Sequence, residues 1–569
     1  MDVTLQQVQR SVWWGWGDPA NAAPLPAHAR RMLDERLGAR SSTTNHPPVQ
    51  LHSTEVPDSR VGDRLRSALV DAVGAEHLLD SAADRILRAG GKSYPDLVRA
   101  RTGRLPYVPD AVALPSTHRE VADVVAACVA HDAAVVPFGG GTSVVAGLTA
   151  TGEQRAVVSL DLRRLAGLIR LDEHDHTATF HAGTMAIDAE TALRAWGFTL
   201  GHFPQSYQQA SLGGFVATRS AGQSSSGYGR IDDMVDGVRG VTPTGEFEFG
   251  SRSPASAAGP RLLDVMVGSE GALGVLTEVT LRVVEAPQAT RHSAVAFPDF
   301  GSAATALREL VQQLGHDQQP DVTRVSDAAE TEVSLGLAGR SGKALQRYLA
   351  VRGLEAPCLT ILLWHDATDE RAKHRQRRAQ EILKRNGAVT LPAKIARGWE
   401  HGRFSAPYLR DELITRGVFV ETLETATHWS NIAAVHRRVG AAIADALDGC
   451  GTPGIVQCHI SHVYPSGASL YFTYLAAEAD DALDQWQTVK TAASEAIVAA
   501  GATITHHHAV GRDHRRYLAE EIGEIGVRML RALKNELDPG DTMNPGVLIP
   551  DTTSQKVPTS TGATTEAPS

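Results

Sequence analysis

The sequence lacks several features that would assign the chain to a class at once. Four cysteines in 569 residues, with no Cys-x-x-Cys pair among them, are too few for a disulfide-stapled fold and favour a reducing compartment. No apolar run reaches the length of a transmembrane helix, and the amino-terminal stretch has neither the basic nor the apolar region of a secretory signal. The net charge of -10 argues against a nucleic-acid binder that relies on a general basic surface. We therefore expect a cytoplasmic globular protein.

The two common nucleotide-binding signatures are missing, although a glycine-rich loop is present. Residues 137–143 read Pro-Phe-Gly-Gly-Gly-Thr-Ser and follow the apolar run 133–136, which predicts a buried strand leading into a tight loop. Neither the Walker A spacing nor Gly-x-Gly-x-x-Gly is matched. Glycine has no Cβ, so the main-chain N–H groups of such a loop can approach an anion, and a pyrophosphate is the usual one. The loop predicts a phosphate site, with a plain turn as the alternative.

Changes in composition divide the chain into five segments. An aromatic and helical segment covers residues 1–105, and small α/β units run through 106–287. Long helices and β-rich runs predict a second domain over 288–500, and the segment 501–550 is expected to return to the ligand site of the first domain. Residues 551–569 are rich in Thr, Ser and Pro and are expected to be disordered. No internal repeat is present.

Hydrophobic patterns place the clearest elements. Residues 177–181 alternate between polar and apolar side chains, which predicts a half-buried strand. In the second domain, 359–364 and 468–475 predict strands, while 431–447 and 480–500 predict helices.

Two further stretches are dense in glycine and small hydroxyl residues. The first covers 205–222 and contains Leu-Gly-Gly, and the second, 268–276, reads Gly-Ser-Glu-Gly-Ala-Leu-Gly-Val-Leu before an apolar strand. Such stretches let a bulky planar or phosphorylated ligand approach the main chain. A plain loop explains one stretch of this kind more readily than two.

Three successive histidines, His506, His507 and His508, follow the run Ala-Thr-Ile-Thr at 502–505. The run predicts that the histidines extend a strand, with His506 and His508 on one face and His507 on the other. Imidazole is the usual general acid or base near neutral pH, which makes this a candidate catalytic cluster. Metal binding is the rival role, because imidazole also suits Zn, Fe and Mn. No metal is assigned.

Taken in order, these pieces resemble the flavin-linked oxidase family typified by vanillyl-alcohol oxidase. The matching pieces lie at 137–143, 212–214, 268–276, 506–511 and 544–546. The resemblance implies an α+β fold, with an FAD-binding domain of two α/β subdomains and a cap domain whose antiparallel sheet covers the substrate side. It also implies FAD as the cofactor, bound by residues of the three glycine-rich stretches: Pro137, Phe138, Gly139, Gly140, Gly141, Thr142, Ser143, Gln205, Ser206, Ser211, Gly213, Gly214, Ala217, Thr218, Arg219, Ser220, Glu270, Gly271, Ala272, Leu273, Gly274, Val275 and Leu276.

Within that family the chain resembles most the alkyldihydroxyacetonephosphate synthases, which make ether lipids. The similar pieces include the aromatic opening Trp-Trp-Gly-Trp-Gly at 13–17 and the run Glu-Thr-Leu-Glu-Thr at 421–425. The resemblance implies exchange of the acyl group of acyl-dihydroxyacetone phosphate for a long-chain alcohol, through an adduct at flavin N5 and without net redox change. It implies Tyr471 and the three histidines as catalytic residues, and Arg410 and Arg324 as substrate-binding residues.

The chain also departs from the family. Residues 137–143 hold no histidine, the residue that bonds FAD covalently in some members, so we expect a dissociable flavin. Gln205 replaces an expected acidic or aromatic residue. His459 and His462 are unexpected, and residues three apart on a predicted strand should face opposite sides. These departures concern the substrate more than the cofactor.

Other functions stay open. An FAD-dependent dehydrogenase of 2-hydroxy acids, of the D-lactate or glycolate type, would use the same fold, an arginine for the carboxylate and a histidine base. A flavoprotein-like scaffold or lipid-binding module without chemistry is the non-enzymatic alternative. For the leading function we expect a small-molecule lipid substrate, no nucleic-acid partner, transient contact with a membrane surface and a homodimer.

Overall fold

The structure is a computed structural model that describes residues 12–37, 47–149, 155–250 and 252–551. The predicted disordered tail lies outside these residues except for its first position. The helices are α1 Ala27–Leu37, α2 Asp63–Val73, α3 Ala82–Ile86, α4 Tyr94–Thr102, α5 His118–Ala130, α6 Ala186–Arg194, α7 Leu212–Thr218, α8 Ser225–Tyr228, α9 Ile231–Met234, α10 Leu263–Met266, α11 Phe300–Leu314, α12 Ala328–Leu337, α13 Gly339–Val351, α14 Asp369–Arg385, α15 Lys394–Gly402, α16 Ala406–Thr415, α17 Ile432–Gly449, α18 Ala482–Ala499 and α19 Leu518–Leu537.

The strands form three main sheets and one two-stranded pair. They are β1 Leu78–Leu79, β2 Ala111–Ala113, β3 Ala134–Phe138, β4 Val157–Asp161, β5 Leu168–Asp172, β6 Thr177–His181, β7 Phe198–Thr199, β8 Val235–Thr242, β9 Gly245–Gly250, β10 Val275–Arg282, β11 Val284–Glu285, β12 Ala289–Phe297, β13 Val322–Ser326, β14 Cys358–Asp366, β15 Val389–Leu391, β16 Val418–His428, β17 Ile455–Val463 and β18 Gly467–Ala477.

The first sheet, in the order β1-β2-β4-β3, places the glycine-rich loop at its edge. Strands β2, β4 and β3 run parallel, and their apolar side chains pack with α2 and α5 into one core. Strand β3 lies at one edge of this sheet with most of its side chains buried, and the loop 139–143 follows it directly. The carboxy-terminal segment returns here, since the main-chain N–H of Asn544 donates to the carbonyl of Val135 at 2.8 Å.

The second sheet is antiparallel, in the order β5-β6-β10-β8-β9. The alternation predicted for residues 177–181 is confirmed, because Ala178 and Phe180 are buried in the core while the residues between them are not. Helices α6 and α7 contribute to the same core. The glycine-rich stretch at 268–276 runs directly into the central strand β10, which fixes the position of that stretch.

The third sheet forms the cap and has seven antiparallel strands, in the order β15-β12-β14-β13-β17-β18-β16. One face packs against α11, α14, α17 and α18 in the largest core of the protein. Strand alternation sends Leu470 and Phe472 into this core and Tyr471 to the opposite face. Two subdomains and an antiparallel cap are the architecture predicted from the sequence, so the fold class is confirmed.

Two expectations about local structure are wrong. His506, His507 and His508 lie in a bent loop and not on a strand, because a side-chain carboxylate takes the N–H groups that a strand would offer to a neighbour. His459 and His462 both face away from the main cap core. A register shift between Ile460 and Val463 inserts an extra residue and restores Val463 to the core, as a β-bulge does.

No helix among the described residues is long and apolar enough to cross a bilayer.

Candidate active site

The glycine-rich loop leaves its main-chain donors free. Within the described chain, the amides of residues 139–143 donate no hydrogen bond. A Cβ at Gly140 would lie 1.7 Å from the carbonyl oxygen of Gln209, and Gly141 has a φ of +68°. Both positions therefore require glycine, one for close approach of the backbone and one for a left-handed conformation. A row of unpaired N–H groups of this kind is an anion-binding concavity.

The three glycine-rich stretches meet at this loop. The contact between Gly140 and Gln209 joins the first stretch to the second, and the main-chain N–H of Glu270 donates to the carbonyl of Ala217 at 2.9 Å, which joins the second to the third. A cavity of about 310 Å³ opens beside them and is lined by Gly140, Gly141, Gln209, Lys92, Arg163 and Tyr408, among others. The structure thus brings together the stretches that the sequence assigned to one ligand.

Several predicted cofactor residues have side chains that are already engaged. Arg219 pairs with Asp232 at 2.8 Å, and the Ser220 hydroxyl lies 2.7 Å from Nε2 of His202. The Ser211 hydroxyl accepts from the Gly214 amide and caps α7. The side chains that lie in apolar cores, and so can reach a ligand only through their main chain, are those of Ala272, Leu273, Val275 and Leu276.

The histidine loop is held by one buried carboxylate. Glu424 on β16 accepts the main-chain N–H groups of His506, His507 and His508 at 2.6, 2.9 and 2.8 Å, and the hydroxyl of Thr505 at 2.8 Å. Burial opposes ionisation of Glu424, but the histidines and these donors hold its pKa well below the ordinary value. The side chain therefore acts as a charged clamp that fixes the three imidazoles.

Tyr471 lies in the middle of a row that crosses the cap sheet. Its neighbours in register are Glu424 on β16 and His459 on β17. The His459 ring stacks on Tyr471 at 4.8 Å between centroids, and the rings of His507 and His508 lie at 6.0 and 5.6 Å. Tyr471 and the histidine loop, predicted from segments 35 residues apart in the chain, therefore share one surface.

The two predicted substrate arginines differ in their partners. Arg324 forms a salt bridge with Glu330, and its Nη1 contacts Nε2 of His459 at 3.0 Å, so its guanidinium is already engaged. Arg410 donates from Nη1 to the carbonyl of Lys92 at 2.8 Å, while its buried Nε and Nη2 have no hydrogen-bond partner in the described chain. Arg410 is the arginine with donors left for an anion.

Lys92, which sequence reasoning missed, links Arg410 to the cofactor loop. Its main-chain N–H donates to the carbonyl of Ser143 at 2.6 Å, and its carbonyl accepts from Arg410. Burial lowers the pKa of its ammonium group to about 8, and the side chain lines the cavity. The amino-terminal aromatic segment supports this region, because the Trp16 amide donates to Asp411 on α16 at 2.5 Å. The feature of the sequence that could have pointed to Lys92 is the dipeptide Gly-Lys at 91–92.

The glycine loop and the histidine loop are neighbours, although more than 360 residues separate them. The Arg512 amide donates to the carbonyl of Val145 at 3.0 Å. The Glu270 carboxylate accepts the main-chain N–H groups of Val510 and Gly511 at 2.8 and 2.7 Å. The glycine-rich loop and the histidine loop therefore lie side by side, and we call the region between them the cleft.

Burial sets the protonation states of two side chains at this cleft. Burial lowers the pKa of His507 to about 4, so the ring is neutral near pH 7 and keeps a free lone pair. Burial raises the pKa of Tyr471 to about 12, so the phenol keeps its proton. A neutral imidazole and a protonated phenol thus lie together, with their ring centroids 6.0 Å apart.

The donors fit FAD. The loop amides of residues 139–143, unpaired within the described chain, suit a pyrophosphate, and Gly140 lets the loop pack directly against the main chain of Gln209. Lys92, Arg99 and Arg163 supply basic side chains to the lining of the cavity.

Comparisons with known proteins agree with this layout. Residues 109–249 match the family "FAD binding domain", and 286–548 match "FAD linked oxidases, C-terminal domain". Among solved structures, an alkyldihydroxyacetonephosphate synthase superposes with a TM-score of 0.81 at 27% identity, covering 96% of this chain and 99% of the other. A p-cresol methylhydroxylase shares the fold, with a TM-score of 0.64 at 15% identity over 87% of this chain and 99% of the other. The protein is therefore an FAD-dependent enzyme of the FAD-linked oxidase class.

Sequence relatives narrow the class. An alkyldihydroxyacetonephosphate synthase of Trypanosoma brucei brucei is 30% identical over 96% of this chain and 93% of the relative. The synthase of Dictyostelium discoideum is 31% identical over 84% of this chain and 79% of the relative. The chain belongs to the alkyldihydroxyacetonephosphate synthase family.

Proposed function

We propose that the protein exchanges the acyl group of acyl-dihydroxyacetone phosphate for a long-chain alcohol. The observation that carries this proposal is the position of Arg410. Its buried Nε and Nη2 have no hydrogen-bond partner among the residues that the structure describes, and the bond from its Nη1 to the Lys92 carbonyl holds it next to the glycine-rich loop. Guanidinium geometry suits a phosphate or a carboxylate, and the proposed substrate and leaving group supply both.

The side chains of the cleft have distinct roles in this proposal. Arg410 binds the substrate phosphate and fixes the orientation of the reacting carbon. His507, neutral because burial lowers its pKa to about 4, removes the proton from that carbon. Tyr471 carries a proton near pH 7, donates it to the departing carboxylate and, as the phenolate, takes the proton of the alcohol whose oxygen bonds to the carbon. The proton held by His507 then returns to that carbon. FAD, when bound, supplies an electrophilic ring that holds the substrate carbon without net redox change.

His506 and His508 support His507 in this scheme. His506 contacts His507 between their Nδ1 atoms at 3.0 Å, and the ring of His508 lies 4.7 Å from that of His507. Arg324 acts through His459, which stacks on Tyr471, and we assign it to positioning rather than to direct substrate contact.

The proposal is tested by adding an acyl-dihydroxyacetone phosphate and a long-chain alcohol to the purified FAD-loaded protein without oxygen. The expected result is release of fatty acid, incorporation of the alcohol into the phosphate product and no net flavin reduction. Bleaching of the flavin by D-lactate or glycolate, with no fatty-acid release from the ester, would instead establish the dehydrogenase alternative.

Tyr471→Phe and Tyr474→Phe are a matched pair for this assay. Both residues lie on β18, but Tyr471 faces the cleft and Tyr474 is buried in the cap core. We expect the first change to retain FAD and to lose turnover by about 10²-fold or more, the usual scale for general acid–base catalysis. The second should retain turnover. Equal activities in the two variants would contradict the role of Tyr471.

We further propose that FAD is bound without a covalent bond, since residues 137–143 contain no histidine. Yellow colour that stays in the supernatant after acid precipitation is the expected result, and flavin retained in the pellet would overturn it. A homodimer and transient contact with a membrane surface are also proposed. Light scattering tests the first and flotation with liposomes tests the second.

A further inference from the structure

Three buried imidazoles converge beside the cleft. His462 on β17 and His506 and His507 in the histidine loop each present one ring nitrogen, and these atoms lie within 4.8 Å of one another. The Nδ1 atoms of His506 and His507 are 3.0 Å apart. Two nitrogen ligands of a tetrahedral zinc ion, each about 2.0–2.1 Å from the metal, lie ~3.3 Å apart. The cluster is therefore close to the size that such an ion requires.

The outer ring nitrogens have partners of the kind found around metal sites. Nε2 of His462 lies 2.8 Å from the carbonyl of Gly222, which can only accept, so that nitrogen carries the proton and Nδ1 keeps a lone pair. Nε2 of His506 lies 2.6 Å from the hydroxyl of Tyr464. A histidine that binds a metal commonly donates its second N–H to such a group, which fixes the tautomer and the ring orientation.

Hydroxyl groups do not block the cluster. Nδ1 of His462 lies 2.8 Å from the hydroxyl of Ser461 and 3.2 Å from that of Ser469. These two hydroxyls are 3.1 Å from each other and can bond together instead, because a hydroxyl hydrogen rotates to suit its partner. Rotation of one hydroxyl thus releases the lone pair of His462 without moving the backbone.

The charges near the cluster favour a cation. An oxygen of Glu424 lies 3.5 Å from Nδ1 of His507 and 3.9 Å from Nδ1 of His506. The nearby cation Arg230 is paired with Asp232 at 3.0 Å, which offsets its repulsion. A buried metal ion would therefore have a carboxylate in its second sphere, as buried charges require.

We propose that His462, His506 and His507 form a binding site for one divalent transition-metal ion, with Zn²⁺ as the expected occupant. Three imidazoles and one open position are a common ligand set for zinc. An ion at this site would occupy the lone pair of His507, so that Zn²⁺ inhibits turnover. The inhibition rests on the proposed function, whereas the binding of the ion does not.

The test uses the full-length, FAD-loaded protein after removal of metal with a chelator. Zn²⁺ is titrated by calorimetry into the wild type, His462→Gln and the control His428→Gln, whose ring lies at the exposed end of β16. We expect one Zn²⁺ per chain in the wild type and the control, and an affinity at least about 100-fold weaker in His462→Gln. Flavin absorbance and thermal unfolding check that the variants are folded.

A spectroscopic measurement on the wild type tests the same metal site without any variant. X-ray absorption of the Zn²⁺-loaded wild type should show three imidazole nitrogens at about 2.0–2.1 Å. Fewer than three imidazoles, no saturable binding, or an equal affinity in His462→Gln would each overturn the site. If Zn²⁺ binds as expected but leaves acyl exchange unchanged, the site stands and the assignment of His507 as the base fails.

Discussion

The clamp on the histidine loop leads to the most direct prediction, the effect of Glu424→Gln. The carboxylate accepts one main-chain N–H on Oε2 and two more, with the Thr505 hydroxyl, on Oε1. In glutamine one of these oxygens becomes an NH₂ group, which cannot accept. Whichever way the amide turns, at least one buried main-chain donor then faces another donor.

The magnitude follows from these bonds. A hydrogen bond to a charged group contributes about 1.5–3 kcal/mol, and a buried donor left without a partner costs ~1–3 kcal/mol. The amide orientation that costs less places the NH₂ group at the Oε2 position. It loses the single bond on Oε2 and weakens the bonds on Oε1, so the free energy of unfolding should fall by about 3 kcal/mol. Because displacement of a catalytic group by about 1 Å can cost ~10²-fold in rate, turnover should fall by that order.

The assay compares Glu424→Gln with Glu421→Gln, a buried carboxylate on the same strand that accepts from Trp486 and Thr422 and contacts no histidine of the loop. Unfolding by urea and acyl exchange are measured on both FAD-loaded variants at pH 7. Only Glu424→Gln should lose acyl exchange. If the two variants match the wild type equally well in activity, the clamp does not position the histidines.

The pH dependence gives an independent check of the same reasoning. The pKa of Glu424 is depressed in the folded protein, so its contribution to stability is present above the unfolded value, about 4.3–4.5. That contribution is lost as the pH falls further. The stability difference between the wild type and Glu424→Gln should therefore be constant near neutrality and shrink below about pH 4.5. A difference that grows on acidification would refute the assignment.

Three further predictions concern the cofactor side of the cleft. Gly140→Ala places a Cβ 1.7 Å from the Gln209 carbonyl, so the loop must shift. If the shift removes two amide–phosphate bonds, FAD affinity measured by fluorescence titration should fall by ~10²-fold. The control Gly398→Ala, which has open space around its Cβ, should leave FAD affinity unchanged. Lys92→Met should weaken FAD affinity by about tenfold, through one lost charged hydrogen bond, and an unchanged affinity would remove Lys92 from the site. Burial raises the pKa of Glu270 to about 7, so wild-type stability should fall as the pH rises from about 4.5 to 7, and Glu270→Gln should lack that decline in urea titrations across this range.

Much of the fold follows from local patterns. The buried strand before the glycine loop, the alternating strand β6 and the long cap helices appear where hydrophobic periodicity puts them, because burial of a face selects the period of the element. Tyr471 came from the family resemblance, since its apolar run also allows a core position, and the structure assigns it to the face opposite Leu470 and Phe472.

The histidine loop shows where local patterns fail. Hydrophobic periodicity predicts that the strand continues through residues 506–508. In the structure, the charged side chain of Glu424, some 80 residues away in the chain, offers those amides stronger hydrogen bonds than a neighbouring strand would. The bulge on β17 is likewise invisible to a period of two, and it alone turns His462 towards the loop.

By itself, the sequence determined the buried strand and the glycine-rich loop that follows it, because both depend on residues within one element, and the family resemblance added the α+β architecture. Only the tertiary structure decided that, within the described part of the chain, Arg410 keeps unpaired buried donors while Arg324 is paired with Glu330 and His459. It alone also decided that Lys92 lines the cavity and that three imidazoles meet. Those outcomes depend on which buried polar groups find partners across distant segments, and pairing of that kind is set by the packing of whole domains.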